Sequence, residues 1–201
     1  MTASELAQRL ERVADRLPQI MLAGGAEAAL EGERMAKMNA TTLLRVRTGR
    51  LRGSVSTNAK ITGPDVMITF KAGGMGGRGP VPYGRVQEEG SGYLPGGAIT
   101  PKRGKFLAIP MGPALTPAGV PRFRSPRDVP GLRFQLVRGG AMGRLVRDVG
   151  GRNSRAETWF LLVRRVVLRP RRYLLRARNE LEPMVPTIIA EHLRDAILGA
   201  A

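Results

Sequence analysis

Hydrophobic periodicity changes twice along this chain, and that change limits the possible folds more than any other feature. At the N-terminal end Leu6, Leu10, Val13, Leu17 and Ile20 recur at alternating spacings of four and three, which marks a helix with one apolar stripe facing a core or a partner. Ser4 is placed to cap its start. Pro18 lacks a backbone donor and predicts an end or a kink one turn earlier. A second helical stretch follows, with Met21, Ala28 and Met35 seven apart, and Gly24-Gly25 predicts a break near 18–25. After Thr48-Gly49 the period falls to two. Leu51, Gly53, Val55, Thr57, Ala59 and Ile61 alternate with Arg50, Arg52, Ser54, Ser56, Asn58 and Lys60, Thr62-Gly63-Pro64-Asp65 supplies a turn, and Val66, Ile68 and Phe70 share one face of a second strand. Residues 48–71 therefore read as a β-hairpin.

Glycine then interrupts the pattern. Residues 72–104 hold eleven glycines around one ordered-looking island, Pro82 to Gly90. Lys105 to Met111 reads as a short strand, and residues 112–131, rich in proline and arginine, read as a long irregular excursion. Leu132–Arg138 and Leu145–Val149 predict a further hairpin around Gly139-Gly140. Thr158–Leu168 is apolar on both faces, which suits a strand that is central in the sheet or covered by a partner. Helical spacing returns through Leu174, Ala177, Leu181, Ile188, Leu193 and Ile197, and Pro183 and Pro186 divide it into a short helix and a longer one. The expected fold is α+β: an antiparallel sheet flanked by a long N-terminal helix and a C-terminal helix, with long basic Gly/Pro-rich loops. One domain of 201 residues accommodates it, divided as a helical segment 1–47, the hairpin 48–71, an insertion 72–157, and a central strand with the closing helix over 158–201.

Charge narrows the partners. The chain carries 33 basic and 16 acidic side chains, a net of +17. Residues 71–172 hold 20 basic and 5 acidic groups and so contain most of the excess. Such a field favours nucleic acid or an acidic protein surface as a neighbour. The first twenty residues lack the continuous apolar run of a secretory signal, and no stretch has the 18 or so uncharged apolar residues of a bilayer crossing, so no membrane partner is expected.

Catalytic chemistry finds little material. There is no cysteine and a single histidine, His192, at the edge of an apolar helical stripe with no nearby nucleophile. The string from Gly74 to Gly79 fits G-x-G-x-x-G, but Pro80-Val81-Pro82 forbids the helix start on which a dinucleotide phosphate would sit. Asp65 has no following Asp-x-Lys or Glu-x-Lys to share a metal and reads as a turn residue. Glu88 and Glu89 are adjacent and diverge on either a strand or a helix, so they form no acid/base pair. The expectation is a chain that is not an enzyme and takes no cofactor or metal. Nine aromatics, mostly in predicted strands, leave few for base stacking, although phosphate contact without sequence readout fits the 78–147 loops.

Three segments occur in a telling order: Thr48-Gly49-Arg50-Leu51-Arg52-Gly53-Ser54, then Tyr83-Gly84-Arg85-Val86-Gln87-Glu88-Glu89-Gly90-Ser91, then Leu168-Arg169-Pro170-Arg171-Arg172-Tyr173-Leu174. Together they resemble the tailed-bacteriophage head–tail joining family, the neck or tail-completion proteins. In that family a long helix leads through TG-x-L-x-x-S into the first strand, YA-x-x-x-E-x-G follows, and an RPF-type segment opens the C-terminal helix. Ile99-Thr100-Pro101-Lys102 with Lys105 to Pro110 is similar to a hairpin seen in many such proteins. Gly84 replaces the usual alanine, Arg171-Arg172-Tyr173 replaces the aromatic after the proline, and 91–157 is longer than typical. The motif positions are Thr48, Gly49, Leu51, Ser54, Tyr83, Val86, Gly90, Arg169 and Pro170.

The resemblance implies a structural virion protein at the head–tail junction or the top of the tail, present in the host cytoplasm during assembly. It would form a ring, six-fold by family precedent, that completes the tail tube and meets the tail tube protein and the head connector or stopper proteins, with genomic DNA passing transiently through the lumen. Physically, Gly49 suits a helix C-cap and Pro170 the first turn of the closing helix, while Tyr83 and Val86 suit docking on the sheet. Glu88 and Glu89, left exposed, would face a neighbour's arginines. The expected subunit or partner contacts are Glu88, Glu89, Lys102, Arg103, Lys105, Arg122, Arg124, Arg127 and Trp159. A basic nucleic-acid-binding protein is the alternative.

Overall fold

A computed structural model describes residues 3–44, 49–73, 75–76, 79–137, 142–149 and 155–199. It is α+β, with helices at both ends of the chain and antiparallel strands between them. The chain divides into two compact units, one built from residues 1–88 and 171–201 and the other from 89–170.

The first unit is organised by helix α1 (Ala3–Leu43), 41 residues long and therefore about 60 Å from end to end. It runs unbroken through Pro18 and Gly24-Gly25, against the predicted end or kink at Pro18 and the predicted break near 18–25. A proline removes one ladder bond, and Ala14, whose carbonyl loses its partner, lies exposed where water can satisfy it. The glycines serve packing rather than punctuation. A Cβ on Gly25 would overlap Val66, one on Gly32 would sit 2.8 Å from Phe70 and 2.9 Å from Leu181, and one on Gly24 would lie 3.2 Å from the Ile189 backbone. With buried Ala28, Ala29, Ala36 and Ala40 they make a small-residue face on which other elements approach closely.

That face carries a two-stranded sheet, β1 (Ser56–Thr62) and β2 (Asp65–Lys71), paired in the register Thr62↔Asp65 to Ser56↔Lys71 around Gly63-Pro64. The predicted hairpin is present, but its first strand begins at Ser56. Arg50–Gly53 instead forms a helical turn, α2, entered through Gly49 in the left-handed region at φ 68°. Polar ties fix the hairpin to α1: the Thr57 hydroxyl donates to the Ala29 carbonyl at 2.6 Å, and the Thr57 amide donates to Glu33 at 3.1 Å. The short ladder of β3 (Met75–Gly76) and β4 (Gly79–Pro80) follows where the sequence suggested loop, and helix α3 (Gly84–Glu89) occupies the ordered-looking island from Pro82 to Gly90.

The second unit is a four-stranded antiparallel sheet in the order β5-β8-β7-β6, formed by β5 (Leu107–Pro110), β6 (Arg133–Leu136), β7 (Met142–Val149) and β8 (Arg155–Val163). The strand that is apolar on both faces does occupy the centre, though it ends at Val163, and Val166 makes only an isolated bridge to Ile99. Its core gathers Ala114, Val129 and Phe160, with Phe123, Leu132, Leu145 and Trp159 packed around them. The chain then returns to the first unit as α4 (Tyr173–Leu181) and α5 (Val185–Gly199), the predicted short and long helices. Leu181 of α4 lies against Gly32 and Ile189 of α5 against Gly24, so the two closing helices in succession run antiparallel to α1.

Candidate functional site

The three sequence segments, far apart along the chain, come together. In the first unit Leu51, Val55, Val81, Tyr173 and Ala177 share one buried cluster with Ala36 and Ala40 of α1. Ser54 donates from its hydroxyl to the Leu51 carbonyl at 2.8 Å and accepts from the Gly73 amide at 3.0 Å, closing the turn. Gly84 packs on this turn: a Cβ there would be 3.0 Å from Gly73 Cα and 3.3 Å from Leu51. An alanine at this position would press on the Gly73 backbone. Thr48, the first residue of the motif, lies outside the described residues.

The second and third segments run alongside each other. Within the first unit Arg171 donates its amide to the Gln87 carbonyl at 2.9 Å, and Arg172 to that of Glu88 at 3.1 Å. Arg172, at φ 51°, then turns the chain into α4. The amides of Leu174 and Leu175, free at a helix start, donate to the two carboxylate oxygens of Glu88, both at 2.9 Å. Glu88 is therefore half-buried and occupied as a charge-assisted cap on α4, in place of the expected exposed contact with a neighbour's arginines. Tyr173 is fully buried beneath it with an unpartnered hydroxyl. Burial first, and then the Glu88 charge, push its ionisation far above the ordinary phenol range.

Within the second unit Ser91 continues the pattern. Its amide donates to the Leu168 carbonyl at 2.9 Å, while its hydroxyl accepts from the Leu168 amide at 3.0 Å and donates to the Gly97 carbonyl at 2.8 Å. Gly90 has φ 75°, and a Cβ on it would fall 2.6 Å from the Leu168 carbonyl oxygen and 2.7 Å from the Pro170 nitrogen. Pro170 lies two residues before the α4 N-cap, not in its first turn, because Arg171 and Arg172 first complete the ladder with Gln87 and Glu88. Arg169 and Pro170 are both exposed. Val86 is half-buried, whereas Tyr83 keeps 37% of its surface exposed, so the expected docking of both residues does not hold for Tyr83.

The predicted contact residues differ in kind. Lys102, Arg103, Lys105, Arg122, Arg124 and Arg127 are exposed on the second unit. Residues 89–170 hold 15 basic and 4 acidic groups, a net of +11. Two of those acids are engaged locally, Asp148 with Arg133 at 2.6 Å and Asp128 with the Ser125 amide at 2.9 Å. Glu89 is exposed too. Trp159 packs internally, with its ring 5.9 Å from that of Phe123, the Arg147 guanidinium 5.6 Å above it, and its indole N–H buried without an acceptor. Sequence reasoning missed the Glu88 cap; it placed β6 within the predicted strand Leu132–Arg138, but not the exposure of Arg133, Phe134, Gln135 and Leu136 at a sheet edge.

Among the described residues no group of three or more His, Cys, Asp or Glu is placed to hold a metal ion, and no helix is long and apolar enough to cross a membrane. His192 lies 2.8 Å from the Glu27 carboxylate, a surface tie between α5 and α1. The described part of the glycine-rich string falls on β3 and β4 and starts no helix; residues 74, 77 and 78 lie outside the described residues. No family model matches the chain, and neither a curated protein nor a solved structure matches it.

Proposed function

We propose that this chain is a structural virion protein that forms a ring at the head–tail interface, completing the tail tube and joining it to the head connector, with DNA passing through the lumen. One observation carries the reading. The three segments that resemble the head–tail joining family meet in space and depend on one another: Leu51 lies against Gly84 and shares a core with Tyr173, and Glu88 caps the helix that Tyr173 opens. The long N-terminal helix, antiparallel strands and closing helix are also the layout the resemblance implies. The role is one of architecture and contact, without catalysis.

The charge constrains how such a ring is used. A lumen lined by many arginines would hold phosphates and slow DNA. Most of the excess on residues 89–170 therefore faces acidic surfaces of the tail tube and connector proteins, and a minority faces the DNA. That same excess supports a second reading, a basic nucleic-acid-binding protein without sequence preference. Light scattering of the nuclease-treated protein at moderate salt separates the two. A closed oligomer free of nucleic acid supports the ring; a monomer that carries nucleic acid until salt strips it supports the alternative.

A further inference from the structure

We infer that the open end of the α1–α5 helix pair is a contact between copies of this chain, in which the N-terminal stripe of α1 packs against the same region of a second copy. The inference rests on the ring reading only in taking the partner to be another copy; a contact of like with like is two-fold and joins chains or whole rings in pairs, beside the head-to-tail contacts that close a ring. Three observations lead to it. First, α1 outruns α5. With Gly24 opposite Ile189 and the helices antiparallel, Gly199 is level with about residue 14, because both helices rise by about 1.5 Å per residue. About three turns of α1 extend past it, and the end turns of a helix fray unless a surface covers their apolar side.

Second, the apolar stripe continues onto this projection. Its spacing of four, three, four, three from Leu6 to Ile20 is that of a helix–helix seam over two heptads; its second half lies level with the last turns of α5 and its first half extends beyond them. Leu10 is 49% exposed, Leu17 is 39% exposed, and Leu198 at the end of α5 is 60% exposed. Val13 and Ile20 are half-buried.

Third, charge selects the occupant. Residues 3–20 carry Glu5, Glu11 and Asp15 against Arg9, Arg12 and Arg16, a net of zero, and α5 has a net of −1, within a chain of +17. A highly basic protein repels its own copies over most of its surface, and here that repulsion vanishes while apolar area is left uncovered. An acidic partner or a nucleic acid would instead be drawn to residues 89–170.

The test is sedimentation velocity of the full nuclease-treated chain from 1 to 100 µM, concentrations spanning ordinary specific self-association. Wild type is compared with Leu10→Lys/Leu17→Lys and with a control of equal added charge, Leu30→Lys/Met67→Lys, at exposed apolar sites outside the stripe. The stripe variant is expected to weaken association at least about 100-fold while the control behaves as wild type. Equal association of the stripe variant and wild type overturns the contact, as does equal loss in both variants or a monomeric wild type. Because the chain lacks cysteine, Ala14→Cys with a short bismaleimide gives a readout independent of lysine substitution: a covalent pair supports the contact and its absence overturns it. The two ideas fail separately. A stripe variant whose rings still join in pairs sinks only this contact, and a two-chain particle lost with the stripe sinks only the ring.

Discussion

Replacing Glu88 by alanine removes the acceptor of two backbone amides at the start of α4. Loss of an N-cap costs roughly 0.5–2 kcal/mol, and a negative charge at a helix N-terminus adds about 0.3–1 kcal/mol. Glu88 is half-buried, which places the sum toward the upper end, at about 2–3 kcal/mol. The loss is not confined to one helix turn, since α4 brings Tyr173, Ala177 and Leu181 into the core against α1. Thermal unfolding should therefore fall by about 4–10 °C. Hydrogen exchange at Leu174 and Leu175 should accelerate by about 30- to 140-fold. Glu88→Gln keeps an oxygen acceptor and loses the charge, so it should cost about 1 kcal/mol. A melting temperature of Glu88→Ala within about 1 °C of wild type, with both amides still protected, would refute the capping argument and with it the claim that the second and third segments form one device.

Glycine substitutions should sort by geometry. Gly90→Ala places a Cβ against backbone at positive φ and should cost more than about 2 kcal/mol, whereas Gly53→Ala, with open space and helical backbone, should be neutral or stabilise by up to about 1 kcal/mol in urea titration. Acid sensitivity should be traceable to carboxylates. Glu33 is held below its ordinary range by Lys37 and the Thr57 donors, and Glu180 by Arg176 and Asn39. Their stabilisation is complete above the unfolded value near 4.5 and is lost as pH falls through the lower folded values, so Glu33→Gln and Glu180→Gln should flatten stability below pH 4.5. Trp159→Phe should be tolerated, because it removes a buried N–H that has no acceptor, while Trp159→Ala should cost about 3–5 kcal/mol by calorimetry.

The elements legible in the sequence were those set by local periodicity. The hairpin around Gly63-Pro64, the central position of β8 and the division of the closing helices all followed from which residues alternate or recur. What was misread depended on distant partners. Pro18 and Gly24-Gly25 carry breaker chemistry, yet exposure tolerates the first, and the second is required by Val66 and Ile189, which belong to other elements. Arg50–Gly53 alternates like a strand but is turned into a helix by Gly49 at positive φ and by the Ser54 hydrogen bonds. Glu88 looked available to a partner because its acceptors' donors, Leu174 and Leu175, come 86 and 87 positions later. The basic residues expected on the surface are found there, since charge and exposure need no distant information.

Electron cryo-microscopy of the purified, nuclease-treated chain tests the central claim most directly. The ring reading predicts closed particles of a single symmetry around an open channel wide enough for a DNA duplex, with residues 89–170 displayed toward the surfaces that meet tail and connector. Monomers alone, or chains seen only as irregular coats on added DNA, would contradict it.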